Sequence, residues 1–182
     1  MQETQPSPEE LARQGEAAYQ AGDFAAAAEH YAAAEQAYLA QGQRLLAAEM
    51  ANNRSVALLQ AEQAQQAYAA VAPTVDLFAQ HGDRRRQALA LGNRAAALEA
   101  LGRLKEAEAD YVASEAILHE LGETELLGVV RQRLAALHLR LRRPADALID
   151  TSIALEGRPL SLREKVLRFL LRIVYRLLGR PL

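Results

Sequence analysis

The chain has 182 residues, with 21 lysines and arginines against 23 aspartates and glutamates, and it contains no cysteine or tryptophan. The absence of cysteine excludes disulfides, thiolate metal sites and cysteine nucleophiles. The 39 alanines, with only ten glycines and six prolines, favour helices over the many short strands of an all-β fold. Residues 1–157 carry 14 basic and 22 acidic side chains (net charge −8), whereas residues 158–182 carry seven basic and one acidic (net charge +6). This asymmetry suggests that the two segments make different contacts.

The N-terminal segment is predicted to be flexible over residues 1–6 and helical from residue 7 onward. Ser7-Pro8-Glu9-Glu10 combines a capping serine, a proline in the first turn and a glutamate three residues after the cap, which together mark a helix start. The first ten residues lack the basic and apolar regions of a signal peptide, and no apolar run reaches the ~18 residues of a spanning helix. We therefore expect a cytoplasmic protein.

An internal repeat of 40 residues runs through residues 7–157, where alanines, glycines and aromatic residues fall in register. The aligned alanines are Ala27, Ala67, Ala107 and Ala147, and the aligned glycines are Gly42, Gly82 and Gly122. The period predicts four helical hairpins, at about 8–47, 48–87, 88–127 and a truncated 128–157, with the alanines at close helix crossings. Pro73 is expected to bend or split the second helix of the second hairpin.

The repeat resembles the tetratricopeptide repeat (TPR) pattern. The matching residues are Gly15, Gly22-Asp23-Phe24, Ala27, Tyr31 and Ala34 in the first unit, and Asn93-Arg94-Ala95-Ala96-Ala97, Leu101-Gly102-Arg103-Leu104-Lys105-Glu106-Ala107 and Tyr111 in the third. The period exceeds the common ~34 residues and is similar to the extended repeats of bacterial sensor and adaptor proteins. The resemblance implies an all-α solenoid of about four hairpins in a right-handed superhelix. It also implies that the first helices line a concave groove for a peptide or partner protein.

The resemblance further implies which residues face that groove. The polar column is Asn53, Asn93 and Arg133, with Asn52 beside it, and the more apolar positions are Tyr19, Val56 and Leu59. Asparagine both donates and accepts hydrogen bonds, as a peptide backbone requires, and arginine suits a carboxylate. The apolar positions would accept an amphipathic helix. Two alternatives are a solvated helix face and a groove filled by the protein's own C-terminal segment.

Residues 158–182 are predicted to form a basic amphipathic C-terminal helix. Ser161-Leu162-Arg163-Glu164 is a capping box that opens a helix to about Leu178. The apolar side chains, which include Phe169, Ile173 and Leu177, span about 200° of the helical wheel, and Arg168, Arg172 and Arg176 lie on the remaining face. A capping helix on the last hairpin is one interpretation. A surface for a partner or a second copy, giving a homodimer, and a membrane-surface anchor are the others.

No enzyme, metal or cofactor chemistry is predicted. The four histidines, His30, His81, His119 and His138, lack ligand spacing. There is no phosphate-binding glycine loop, and the short run Arg84-Arg85-Arg86 is no basis for nucleic-acid binding. The sequence predicts a non-catalytic protein–protein interaction module or adaptor that binds a peptide or helix. The alternatives are a peptide-sensing regulator and a peripheral membrane assembly factor that uses the C-terminal helix.

Overall fold

The fold consists of helices joined by short turns. The computed structural model describes residues 6–155 and 160–177, so residues 1–5 of the predicted flexible N-terminus lie outside it. These two ranges contain nine helices and no strand, which confirms the all-α prediction. The helices are α1 (Pro8–Gln20), α2 (Phe24–Ala40), α3 (Arg44–Gln60), α4 (Ala64–Gln80), α5 (Arg84–Ala100), α6 (Leu104–Leu121), α7 (Thr124–Arg140), α8 (Pro144–Ala154) and α9 (Leu162–Leu177).

The chain divides into two compact units, Met1–Ser114 and Glu115–Leu182, and the division falls inside α6. In the first unit each helix from α1 to α5 packs against the next, and α3 also contacts α5. In the second unit α7 packs against α8, and α8 contacts α9. Packing of each helix on its sequence neighbours is the arrangement of an α-solenoid, as predicted.

Seven turns of one conformation set the helix spacing. A residue with positive φ occurs every 20 residues from Gly22 to Arg142. The next amide donates back across the helix end, as Asp23 N does to Ala18 O at 2.9 Å and Gln63 N to Leu58 O at 2.8 Å. This is the Schellman motif, which satisfies carbonyls at a helix C-terminus. The repeat is therefore built into the turns as well as the helices.

Two of the seven positive-φ positions are not glycine. Glu62 has φ 61° and Arg142 has φ 58°, close to the 69–81° of the five glycines. Neither residue interrupts the pattern, although the sequence departs from the turn glycine at both. Tertiary packing and the Schellman hydrogen bonds hold these two side-chain-bearing residues in the left-handed region.

Small residues allow the helices of a hairpin to approach closely. Ala27, Ala67 and Ala107 are fully buried and Ala147 is nearly so, consistent with their predicted place at helix crossings. Gly15 shows the constraint directly, because a Cβ added there would lie 2.9 Å from the ring of Tyr31. The absence of a side chain on α1 thus makes room for the aromatic ring on α2.

Pro73 does not split α4. The helix runs without interruption from Ala64 to Gln80 with Pro73 inside it, so the expectation of a break near Ala72 is wrong. A proline has no N–H to donate to the carbonyl four residues back, here that of Ala69. The packing of α4 against both α3 and α5 compensates for the missing hydrogen bond.

The capping box of α9 forms as predicted. Ser161 N donates to Glu164 Oε2 at 2.9 Å and Glu164 N donates to Ser161 Oγ at 3.4 Å. The helix starts at Leu162 and its described part ends at Leu177. The side chains of Arg172, Arg176 and Leu177, three of the predicted tail residues, lie outside the described part of the structure.

Candidate functional site

The structure brings three of the predicted groove residues together on α3 and α5. Asn93 Nδ2 donates to Asn52 Oδ1 at 3.0 Å, which joins the two helices through their asparagine side chains. Asn52 is buried, whereas Asn53 and Asn93 are half-buried. Part of the predicted polar column therefore serves helix–helix contact, and the rest is accessible to a ligand.

Asn52 and Asn53 line a cavity of about 330 Å³, which we call the asparagine cavity. Its other walls come from α3, from the end of α4 and from the start of α5. They are formed by Glu49, Phe78, Asp83, Arg85, Arg86 and Leu89. Amides, carboxylates and guanidinium groups surround a space that can hold a few residues of a peptide.

Arg86 is the most extensively paired charge in this cavity. Its guanidinium donates to Glu49 Oε2 and to Asp83 Oδ2, both at 2.8 Å. Hydrogen bonding to Asp83 raises the pKa of Arg86, against the opposing effect of burial. Asp83 in turn caps α5 by accepting from Arg86 N at 3.0 Å. The network fixes the position of the cavity wall and offsets its charges.

The predicted apolar groove residues lie apart from the asparagine cavity. Tyr19 on α1 and Leu59 on α3 are half-buried against the hydrophobic core, and the ring of Tyr19 also meets Phe24 edge-on at 5.3 Å. Val56 is half-buried on α3. None of the three lines the cavity, so their sequence pattern is at least partly explained by core packing.

The remaining predicted residues belong to the second unit. Arg133 lies on α7 and its side chain is exposed. On α9, Phe169 and Ile173 are exposed and Arg168 is half-buried.

Sequence reasoning missed an ion pair in the first unit. Arg54 Nη2 of α3 lies 3.1 Å from Glu35 Oε2 of α2, and both side chains are largely buried. Within the described residues, Glu35 Oε2 and Arg54 Nε have no hydrogen-bond partner. Burial raises the pKa of Glu35, although the charge of Arg54 acts in the opposite direction. The signal in the sequence was the repeated Asn-Arg pair, of which only the asparagine was interpreted.

The ion pair lies between two shallow cavities that α2, α3 and α4 enclose. One of about 460 Å³ is lined mainly by alanines and glutamines, and one of about 210 Å³ includes Leu39 and Pro73. Arg54, Ala69 and Ala70 border both. The equivalent Arg94 instead makes two 2.7 Å hydrogen bonds to Asp110 of α6. Arginines at this repeat position therefore tie neighbouring helices together.

The described residues contain no cluster of histidine, aspartate and glutamate that could hold a metal ion. The buried serines are engaged with the backbone: Ser55 Oγ donates to Asn52 O at 2.7 Å, and Ser114 Oγ donates to Ala88 O at 2.8 Å. His138 Nδ1 lies 2.6 Å from Asp150 Oδ2 in the second unit. This pair links α7 and α8, so its geometry has a structural explanation.

Comparison with protein-family models and with curated proteins finds no match for the chain. Among the helices that the structure describes, none is long and apolar enough to cross a membrane.

Proposed function

We propose that this chain is a non-catalytic interaction module, an adaptor of the cytoplasm, that binds a peptide segment or helix of a partner protein across α3 and α5. The observation that carries the proposal is the Asn93–Asn52 hydrogen bond beside the asparagine cavity. It places the side-chain amides of neighbouring repeats next to each other on the surface that the TPR resemblance assigns to ligand binding.

The chemistry of the cavity suits a main chain better than a small charged ligand. An extended peptide presents one N–H donor and one C=O acceptor per residue, and an asparagine side chain can answer both. Asn53 and Asn93 are accessible enough for this role. Arg85, on the cavity wall, adds a cation that would favour acidic or C-terminal segments. Apolar residues of the partner would contact Val56 and Leu59, and Arg133 would provide a separate contact in the second unit.

Site-specific photocrosslinking in the native host tests the proposal. A benzoylphenylalanine in place of Asn53 is expected to capture a defined partner, and the same group in place of the exposed Gln36 on α2 is the matched control. Capture at residue 53 alone supports the proposal. Equal capture at both positions, or none at residue 53, contradicts it.

A second measurement separates binding from folding. With the captured partner purified, Asn53→Ala is expected to weaken binding roughly tenfold, since one to two peptide hydrogen bonds are lost. Helix content and the unfolding midpoint should stay unchanged, because the structure gives the Asn53 side chain no hydrogen bond within the described residues. Unchanged affinity in a folded Asn53→Ala protein would contradict the assignment of this cavity.

A further inference from the structure

The C-terminal helix contacts the rest of its unit through only one side. Leu171 is 5% exposed, and Glu164 and Arg168 are half-buried. At 100° per residue these three positions fall within a sector of about 60°. The helix therefore packs against α8 with a narrow edge that includes two charged residues.

The apolar face of α9 lies on another side and is exposed. Phe169 is 63% and Leu162 is 79% exposed. Val166, Leu167, Leu170 and Ile173 are also exposed, by 42–52%. These six side chains span an arc of about 160° along the helix. Single exposed apolar residues are ordinary on a protein surface, whereas a continuous face of this width marks an interface.

Charge identifies what this face meets. The exposed Lys165 lies beside one border of the apolar arc and the exposed Arg163 lies close to the other, and residues 158–182 have a net charge of +6. A helix with leucine, phenylalanine and isoleucine on one face and basic residues beside them is the pattern of helices that lie in the interface of anionic membranes. A 16-residue helix is about 24 Å long, too short for the ~30 Å hydrocarbon core, so it would lie on the bilayer and not cross it.

A second copy of the chain is a poorer complement. Two α9 helices packed face to face would bring their basic residues together, and like charges repel. The repeat array is acidic, but the large apolar side chains exposed on its described residues are spread over α2, α3, α6, α7 and α8. They include Leu39, Leu46, Val112 and Leu139, with at most two on any helix.

We propose that α9 is a membrane-surface anchor that binds anionic phospholipid bilayers. Phe169, Val166, Leu170 and Ile173 insert between the acyl chains, and Arg163 and Lys165 contact the lipid phosphates. This role goes beyond partner binding at α3 and α5, and it uses different residues on a different unit.

The lack of tryptophan allows a clean fluorescence test with the full-length chain. Phe169→Trp gives a single-tryptophan protein whose emission should shift to the blue and be quenched by brominated lipid when phosphatidylglycerol-containing vesicles are added. Leu139→Trp on α7 is the matched control, since Leu139 is equally exposed (61%) but lies outside the anchor, and it should not respond.

Vesicle co-sedimentation measures the energetics. Phe169→Ala should lower partitioning into phosphatidylglycerol vesicles roughly tenfold or more, because burial of a phenylalanine is worth at least that factor. Lys165→Gln should lower it about fivefold, and Leu139→Ala should not lower it. Higher salt and pure phosphatidylcholine vesicles should also weaken binding.

Two outcomes would overturn the proposal. One is no vesicle binding and no emission change in the Phe169→Trp protein. The other is a concentration-dependent dimer, seen by light scattering without lipid, whose formation alone shifts the emission of that protein and which assigns the face to a second copy. Neither outcome affects the crosslinking result at Asn53, so the two proposals fail independently.

Discussion

At the scale of single residues, the turns show how a repeat tolerates an unsuitable amino acid. Five turns use glycine at the positive-φ position, which has no Cβ to clash there, but Glu62 and Arg142 adopt the same conformation. An L-residue in the left-handed region costs about 1–2 kcal/mol. The two turns therefore form at a local cost that the rest of the fold offsets.

Glu62→Gly should stabilise the protein by about 1 kcal/mol, because relief of the left-handed strain exceeds the extra freedom that glycine gives the unfolded chain. Urea or thermal unfolding of the two proteins measures the difference. Gly102→Ala is the matched control, since Gly102 has φ 76° and open space around it, so strain alone should destabilise it. A Glu62→Gly protein less stable than the parent would contradict this interpretation.

At the scale of elements, α4 is a helix whose packing prevails over its sequence. Pro73 costs an interior helix about 3 kcal/mol, and yet α4 is continuous between α3 and α5. The sequence identified the proline but could not give the strength of the packing on both sides of it. Helix ends were more predictable, because serine, aspartate and glycine at caps act locally.

Pro73→Ala should stabilise the protein by about 2 kcal/mol. Alanine restores an N–H for the Ala69 carbonyl, and the gain exceeds the roughly 1 kcal/mol by which proline restricts the unfolded chain. Chemical denaturation measures the change. Pro8→Ala is the control, because Pro8 stands at the start of α1, where no helical hydrogen bond is lost, and it should show no such gain. Equal gains at both sites would disprove the argument.

At the scale of the whole molecule, the 20-residue spacing of the turns makes two successive helices a removable unit. Deletion of residues 44–83 joins Gln43 to Arg84, which restores a helix start of the same kind as that at Arg44. It also places Arg94 in the repeat position of Arg54, opposite Glu35. Solenoids gain their stability from such nearest-neighbour interfaces.

The protein without residues 44–83 should keep its helix content per residue and unfold cooperatively, although with lower total stability. Circular dichroism during urea unfolding tests this. Deletion of residues 44–73 removes 30 residues and leaves part of α4 after Gln43, so it should lose cooperative unfolding. Similar unfolding curves for the two deletions would show that the register does not matter.

The sequence predicts the helices, the 40-residue period and the capping box of α9, because these depend on local patterns. It also identifies the asparagine column. It does not predict that Asn93 bonds to Asn52, because a contact between side chains 41 positions apart depends on how closely two helices approach. The Arg54–Glu35 pair was missed, and burial or exposure of the apolar face of α9 was left open, for a related reason: each depends on which side of a helix meets its neighbour.

The turn at residue 83 has a consequence for local motion. Asp83 closes the end of α4 through its backbone N–H, which donates to Phe78 O at 2.9 Å, and starts α5 through its carboxylate, which accepts from Arg86 N at 3.0 Å. Fraying of the last turn of α4 therefore withdraws the residue that caps α5. Amide hydrogen exchange should then be shared across the turn, with the two helix ends opening as one unit and not separately.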